Sequence, residues 1–279
     1  MRILVTNDDG INAPGLRILE EIAMEIAGAK GEVWVVAPAT EQSGVAHCIT
    51  FTKPMMISKI SERKFSVDGS PADCVLAGIY DVMKENKPEL ILSGINRGNN
   101  SAENALYSGT IGAAIEGTIH KIKSIALSQY LGPNNLTIEN PFEAAGKNGV
   151  SIIQKLLKYG EWGTGDYRLF YNVNFPPERW KDVKGSKISS QGFRKDTSFG
   201  IEPHISPSGR KFLWIKGGPQ NIPTAENTDV AANLDGYISI TPMKTDLTDH
   251  PTLNLSLIHI SEPTRPRLDL VCRLLLEKK

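Results

Sequence analysis

Two short apolar runs, Arg2–Thr6 (RILVT) and Glu32–Ala37 (EVWVVA), flank a stretch in which Leu16, Leu19, Ile22, Ala23 and Ile26 recur every three or four residues. β-rich runs on either side of a helical period describe a βαβ unit, whose two strands lie parallel. The alternation continues. Pro88–Ser93 and Ser124–Ser128 read as further buried strands separated by a small-residue helix over Gly109–Ile119, residues 142–158 read as an amphipathic helix, and Tyr167–Asn174 and Gly236–Ile240 read as strands. A parallel sheet needs helices on both faces, so the class is α/β, a doubly wound, mostly parallel sheet. Residues 44–68 interrupt the rhythm with β-branched runs around Cys48–Thr52, Met55–Ser58 and Lys64–Val67 and read as a β-hairpin excursion. Pro71–Met83 then reads as a helix, with Ser70 as its cap and Pro71 in its first turn. From 178 to 227 the composition turns to Gly, Ser, Pro and basic residues with isolated aromatics and no helical period, as in a hairpin arm or a long functional loop.

Charge and cysteine usage restrict the possible partners. Lys+Arg and Asp+Glu both total 31 in a chain of 279 residues, so no net positive field is available to hold a nucleic-acid backbone. Stable nucleic-acid binding is therefore not expected, and an anionic ligand must be small and locally bound. No run approaches the roughly 18 apolar residues of a membrane span, and Met1–Thr6 meets an acidic pair where a signal peptide would carry its apolar core. The expectation is a cytoplasmic protein that does not bind membrane. Cys48, Cys74 and Cys272 are odd in number and far apart, which argues against a disulfide framework and against a CxxC metal knuckle.

The chemistry concentrates where strands end. Asp8 and Asp9 follow the first strand, at the carboxyl edge that parallel sheets use for ligands. Two adjacent carboxylates repel one another, and a hard divalent cation such as Mg²⁺, Mn²⁺ or Ca²⁺ relieves the repulsion; a capping turn with a solvated Asp9 accounts for the pair equally well. Ser43 lies beyond the second strand and Asn96 beyond the strand at 89–93, so three strand ends deliver oxygen donors to one edge. The neighbouring Gly98-Asn99-Asn100-Ser101 has, on composition alone, the look of a mobile polar loop. Tyr107–Ala114 has the makings of a phosphate cradle: Ser108 and Thr110 offer hydroxyls, Gly109 admits close backbone approach, and the helix it opens presents free amides. A plain Ser cap on a close-packed helix is the competing account. The segment lacks a P-loop lysine, no GxGxxG follows the first strand, and there is no GxSxG or HExxH. His47, His120, His204, His250 and His259 show no metal spacing and read as structural, with His250 singled out by the polar run Thr241–Asp249 before it.

Taken together, MRILVTNDDG at 1–10, Ala37-Pro38 with Gln42-Ser43-Gly44, Ser93–Asn99 (SGINRGN) and Tyr107–Thr110 (YSGT) resemble the SurE family of survival proteins. The resemblance runs in matching order through Asp68–Asp73, Asn172–Pro176, Thr228-Asp229 and Ser239–Pro242 to about His250. It implies a Rossmann-like core with a C-terminal oligomerisation arm that builds homodimers or homotetramers. The activity it implies is hydrolysis of nucleoside 5′- and 3′-monophosphates by metal-activated water, with one Mg²⁺ or Mn²⁺ per subunit. The family's metal ligands fall on Asp8, Asp9, Ser43 and Asn96, its phosphate segment on Ser108, Gly109 and Thr110, and its accessory positions on Asp246 and His250. Asp8, Asp9 and Asn96 are then the catalytic set, with Asp9 the first choice to position or deprotonate the water. An aspartyl-phosphate intermediate is a different mechanism open to the same residues, and a nucleotide-sensing protein without turnover is the non-enzymatic alternative. The implied organisation is a metal- and phosphate-binding core over 1–177, an arm over 178–227 and a return to the core over 228–254. Residues 255–279, whose two prolines forbid a helix through Pro263–Pro266, read as an anomalous, non-native tail.

Overall fold

The computed structural model describes residues 1–195 and 199–253. It divides into two compact units, Met1–Thr245 and Asp246–Lys279. In the first, β1 (Arg2–Thr6), β2 (Glu32–Pro38), β3 (Ile57–Ser61), β4 (Lys64–Val67), β5 (Leu90–Arg97), β6 (Lys123–Gln129), β7 (Leu169–Phe175), β8 (Ser186–Ile188) and β11 (Ile238–Lys244) form one sheet in the order β3-β4-β2-β1-β5-β6-β7-β11-β8. β4, β2, β1, β5, β6 and β7 run parallel, whereas β3 and β11 join antiparallel to β4 and β7. The anomalous tail, Cys272 and His259 lie outside the described residues.

Alternation along the central strands sends side chains to two cores. Ile3, Val5, Leu90 and Leu92 pack on one side against α1 (Pro14–Ala27) and α4 (Glu143–Tyr159). Leu4, Val36 and Ile91 pack on the other with residues of α2 (Pro71–Ala77) and α3 (Gly109–Ile119). Helices on both faces are what a doubly wound sheet requires, and α5 (Asp229–Leu234) covers β11 near the far edge.

Three local expectations are corrected. The helix expected over 71–83 is α-helical only to Ala77, and a wider π turn carries the chain through Gly78–Val82. Val75, Ile79 and Met83 are all buried and spaced by four. That spacing drifts around an ordinary α-helix, and the wider turn holds the three on one face. Within 44–68 only β3 and β4 form strands. The Cys48–Thr52 run is instead tied to the start of α2, where Ser70 Oγ donates to the Cys48 carbonyl and the Thr50 amide and hydroxyl donate to Asp73 at 3.0 and 2.7 Å. Ser70 does cap α2, in a reciprocal capping box with Asp73. The segment 178–227 is not a uniform arm: β8 extends the main sheet beside β11, whose edge offers it backbone partners, and only β9 (Gly200–Ile205) and β10 (Lys211–Lys216) form a separate antiparallel ribbon.

α1 seats closely on β5 at Gly15, where a Cβ would stand 2.0 Å from the Ile95 carbonyl oxygen. The obstacle is backbone and cannot rotate away. Gly15→Ala is expected to cost about 3 kcal/mol or more, read as a Tm lowered by roughly 6 °C or more in a thermal melt.

Candidate active site

Strand order reverses between β1 and β5: chain leaving β1 builds outward through β2 and β4, and chain leaving β5 builds through β6 and β7. Such a switch point leaves a crevice at the carboxyl ends of the two strands. Asp8 and Asp9 emerge there from β1, and Asn96 sits near the end of β5. The loop after β2 folds back on the same place, since the Gln42 amide donates to the Asp8 carbonyl at 2.7 Å and the Ile11 amide to the Pro38 carbonyl at 2.8 Å.

α3 delivers the third wall. Ser108 caps it by accepting the Ile111 amide at 3.1 Å. The Thr110 hydroxyl donates to Asp8 Oδ1 at 2.6 Å and its amide to Oδ2 at 3.2 Å. A Cβ on Gly109 would stand 3.0 Å from the Asp8 Cβ, which is why a residue without one stands at this point of contact. Thr110, expected on a substrate phosphate, thus has its hydroxyl and amide directed at Asp8, where they fix both carboxylate oxygens. Ser108 and Gly109, both buried, form the start of the helix, where amide dipoles favour an anion.

Burial pushes the Asp8 carboxyl up to about 6; the Thr110 hydrogen bond opposes the shift and the Asp9 charge adds to it. Burial raises Asp9 as well, against the Arg97 amide that donates to its Oδ2 at 2.9 Å; Glu41 raises it further and the Arg97 charge lowers it. Two adjacent carboxylates, both short of positive charge, fit a cation. Among the described residues no group of three or more His, Cys, Asp or Glu is placed to hold one. The available donors are two carboxylates with neutral oxygens, a set suited to a hard cation rather than to zinc. Asn96 supplies one such oxygen: its Nδ2 donates to the Gly98 carbonyl at 2.9 Å, leaving the amide oxygen as the group for a ligand. The Ser43 residue is exposed and its hydroxyl donates to Glu41 at 2.6 Å, so its oxygen retains acceptor capacity.

Asp246 and His250 belong to the second unit and pair with each other at 2.6 Å; that hydrogen bond holds the half-buried Asp246 carboxyl down to about 2. His47 and His120 both bond to Glu116, at 2.6 and 2.9 Å. Burial would raise Glu116, but the two histidines outweigh it and hold it below the ordinary carboxylate range. The loop after Asn96 is not a mobile one: Asn99, Asn100, Ser101 and Ala102 are all buried. The Asn100 amide donates to Asn174 Oδ1 at 2.7 Å, its side chain to Ser128 Oγ at 2.9 Å, and Asn172 Nδ2 to its carbonyl at 2.8 Å. Sequence reasoning missed this network and the buried Arg194 and Asp229 that join it. The available signal was the pair Asn172 and Asn174 within the otherwise apolar run LFYNVNF, with Asn96 near the end of β5 and Asn100 just beyond it.

The folded, metal-free chain binds a proton at Asp8 more tightly than the unfolded chain does, because folding raises this group from 3.8 to about 6. Its contribution to stability is full below the unfolded value and lost as pH rises through about 6. Asp8→Asn escapes that loss. In EDTA at pH 7.5 the variant is expected to be more stable than the parent by up to about 3 kcal/mol, with the advantage vanishing toward pH 4; thermal melts across pH measure it.

The family description "Survival protein SurE" matches residues 3–198. The chain is similar to the 5′-nucleotidase SurE of Cereibacter sphaeroides, 61% identical over 253 residues, covering 91% of this chain and 97% of that protein. It is also similar to the 5′-nucleotidase SurE of Roseobacter denitrificans, 61% identical over 250 residues, covering 90% and 96%. A crystal structure of the SurE protein from Aquifex aeolicus superposes with a TM-score of 0.75 at 38% identity, covering 92% of this chain and 99% of that one. With the switch-point crevice, the adjacent aspartates and this agreement over nine tenths of its length, the chain belongs to the SurE family.

Proposed function

We infer that the chain is a hydrolase, a 5′-nucleotidase like its curated relatives, and propose that it releases phosphate from nucleoside 5′- and 3′-monophosphates at the crevice between β1 and β5. The observation that carries the reading is the pair of carboxylates, Asp8 buried and Asp9 largely so, set against the start of α3 with no cationic side chain among the described residues bonded to either. Asp8, Asp9, Asn96 and Ser43 would hold one Mg²⁺ or Mn²⁺. Bound there, the ion supplies Lewis-acid polarisation of a phosphoryl oxygen and acidifies a water.

The remaining work falls to the chain. Ser108 and Gly109, at the α3 N-terminus, face the transferring phosphoryl group, whose negative charge the helix dipole stabilises. Thr110 holds Asp8 in a fixed rotamer through two hydrogen bonds. Asp9, steadied by the Arg97 amide, orients the attacking water and accepts its proton. Asn96, with its Nδ2 fixed to Gly98, directs its amide oxygen to the cation. A cleft of about 770 Å³ opens on Asp9 and is lined by Pro14, Ile18, Arg97 and Phe142, space enough for a nucleoside beside the reacting phosphate.

The ribbon of β9 and β10 supports assembly. Ile201, Ile205, Phe212, Leu213, Trp214 and Ile215 are all more than half exposed on two strands. A two-stranded ribbon is marginal by itself, and an exposed apolar patch of this kind marks an interface. A homodimer or homotetramer built through it accounts for the exposure. Cys48 and Cys74 are free thiols, as a reducing cytoplasm keeps them, and no helix among the described residues is long and apolar enough to cross a membrane.

Phosphate release measured over a matrix of Mg²⁺, Mn²⁺ and Co²⁺ against 5′- and 3′-nucleotides should show metal-dependent turnover. Asp8→Ala and Asp9→Ala should each lower kcat at least about 100-fold. Nucleotide binding in calorimetry with no release under any of the metals would exclude the hydrolytic reading. Separately, Trp214→Glu with Ile215→Glu should shift the mass in light scattering to that of a single chain of 30.5 kDa.

A further inference from the structure

The loop that joins Asn96 to Ser108 is clasped from outside by two residues flanking the β9–β10 ribbon, Arg194 before it and Gln220 after it. The Arg194 side chain is fully buried. Its Nη2 donates to Asn99 Oδ1 at 2.8 Å and to Ser101 Oγ at 3.0 Å. Nη1 donates to the Ser101 carbonyl at 3.2 Å and to Glu103 Oε1 at 2.9 Å, and Nε to the Gln220 carbonyl at 3.3 Å. The Arg194 amide adds a bond to Glu103 Oε2 at 3.1 Å. Gln220 Oε1 accepts from Asn104 Nδ2 at 2.6 Å and Asn99 Nδ2 at 3.3 Å. Asp229 completes the grip by accepting the Ala102 amide and the Gly192 amide, each at 2.9 Å.

A guanidinium is planar, with five N–H groups in a fixed fork, and every arm of this one meets the loop or Gln220. Burying such a charge is costly even when paired. What the fork supplies is geometry: Asn99, Ser101 and Glu103 are held at once relative to one rigid plane. The clasped segment begins three residues after Asn96, at Asn99, and ends four before Ser108, at Asn104. Its shape therefore sets how the donor at the end of β5 faces the start of α3.

We propose that Arg194, seconded by Gln220, is a positioning residue for hydrolysis: it touches none of the reacting groups and acts by fixing the spacing between Asn96 and Ser108. The inference rests on the reading of those two residues as cation and phosphate contacts. A purely structural anchor would move stability alone; a positioning residue moves kcat and cation affinity in protein that is still folded.

The test compares the parent with Arg194→Lys, Arg194→Met and Gln220→Ala. Melting temperature, kcat, KM for a nucleoside monophosphate, and Mn²⁺ affinity by calorimetry without substrate are measured for each. Arg194→Lys keeps the charge but not the fork. It is expected to lower kcat at least ten-fold and weaken Mn²⁺ binding several-fold at a temperature where it is folded, with KM changed less than kcat. Gln220→Ala should show the same pattern at smaller size, and hydrogen exchange at 99–108 should quicken in both. If Arg194→Met fails to fold, the other two variants decide. Folded Arg194→Lys and Gln220→Ala with kcat and Mn²⁺ affinity within two-fold of the parent overturn the proposal, as does a loss that follows melting temperature alone. A parent that binds Mn²⁺ yet releases no phosphate contradicts the hydrolytic reading instead, and the Mn²⁺ affinities of the variants still decide on Arg194.

Discussion

The reversal of strand order between β1 and β5 is the constraint from which the candidate site follows. The helices that follow the two strands at that point go to opposite faces of the sheet, α1 after β1 to one and α3 after β5 to the other, so neither covers the crevice between the strand ends. Loops leaving β1, β2 and β5 are forced to meet there, and α3 returns its first turn to the same point. The two bonds from Thr110 to Asp8 are the direct expression of this geometry, joining residues 102 positions apart in the chain.

Much of this was legible because parallel sheets write their pattern strongly. The apolar runs at Arg2–Thr6 and Glu32–Ala37 and the helical period between them sufficed for β1, α1 and β2, and the polar residues after each strand had to lie at one edge. Ser70 and Ser108 were legible as caps, because a hydroxyl three residues ahead of an amide is local chemistry. The π turn after Ala77 was not legible, since a spacing of four is within the tolerance of any helical pattern and only packing of Ile79 and Met83 decides it. Nor was β8 legible: three exposed residues, Ser-Lys-Ile, become a strand because the edge of β11 is there to pair with.

Composition misled most at Asn99–Glu103. A run of Asn, Ser, Ala and Glu has the content of a solvated loop, and whether it is one depends on residues far away in sequence. Asn172 and Asn174 on β7, Arg194, Gln220 and Asp229 supply the partners that let it be buried. The same dependence explains Thr110. Its hydroxyl looked available for substrate because the sequence cannot say that Asp8 stands 2.6 Å away.

These polar groups are costly to keep dry, and their placement shows what the cost supports. The apolar cores on the two faces of the sheet carry stability, whereas Asp8, Arg194 and Asp229 lie buried around a single crevice and its loop. Burial raises the Asp8 carboxyl to about 6, so its ionised form gains more from a nearby positive charge than a solvated carboxylate would. Hydrolysis at phosphorus asks for dipoles and ligands already in place when charge shifts, because reorganising them during the reaction would add to the barrier. A loop fixed by a buried guanidinium meets that requirement better than one that orders itself on binding, since its ordering entropy is lost once, at folding, and not at each turnover.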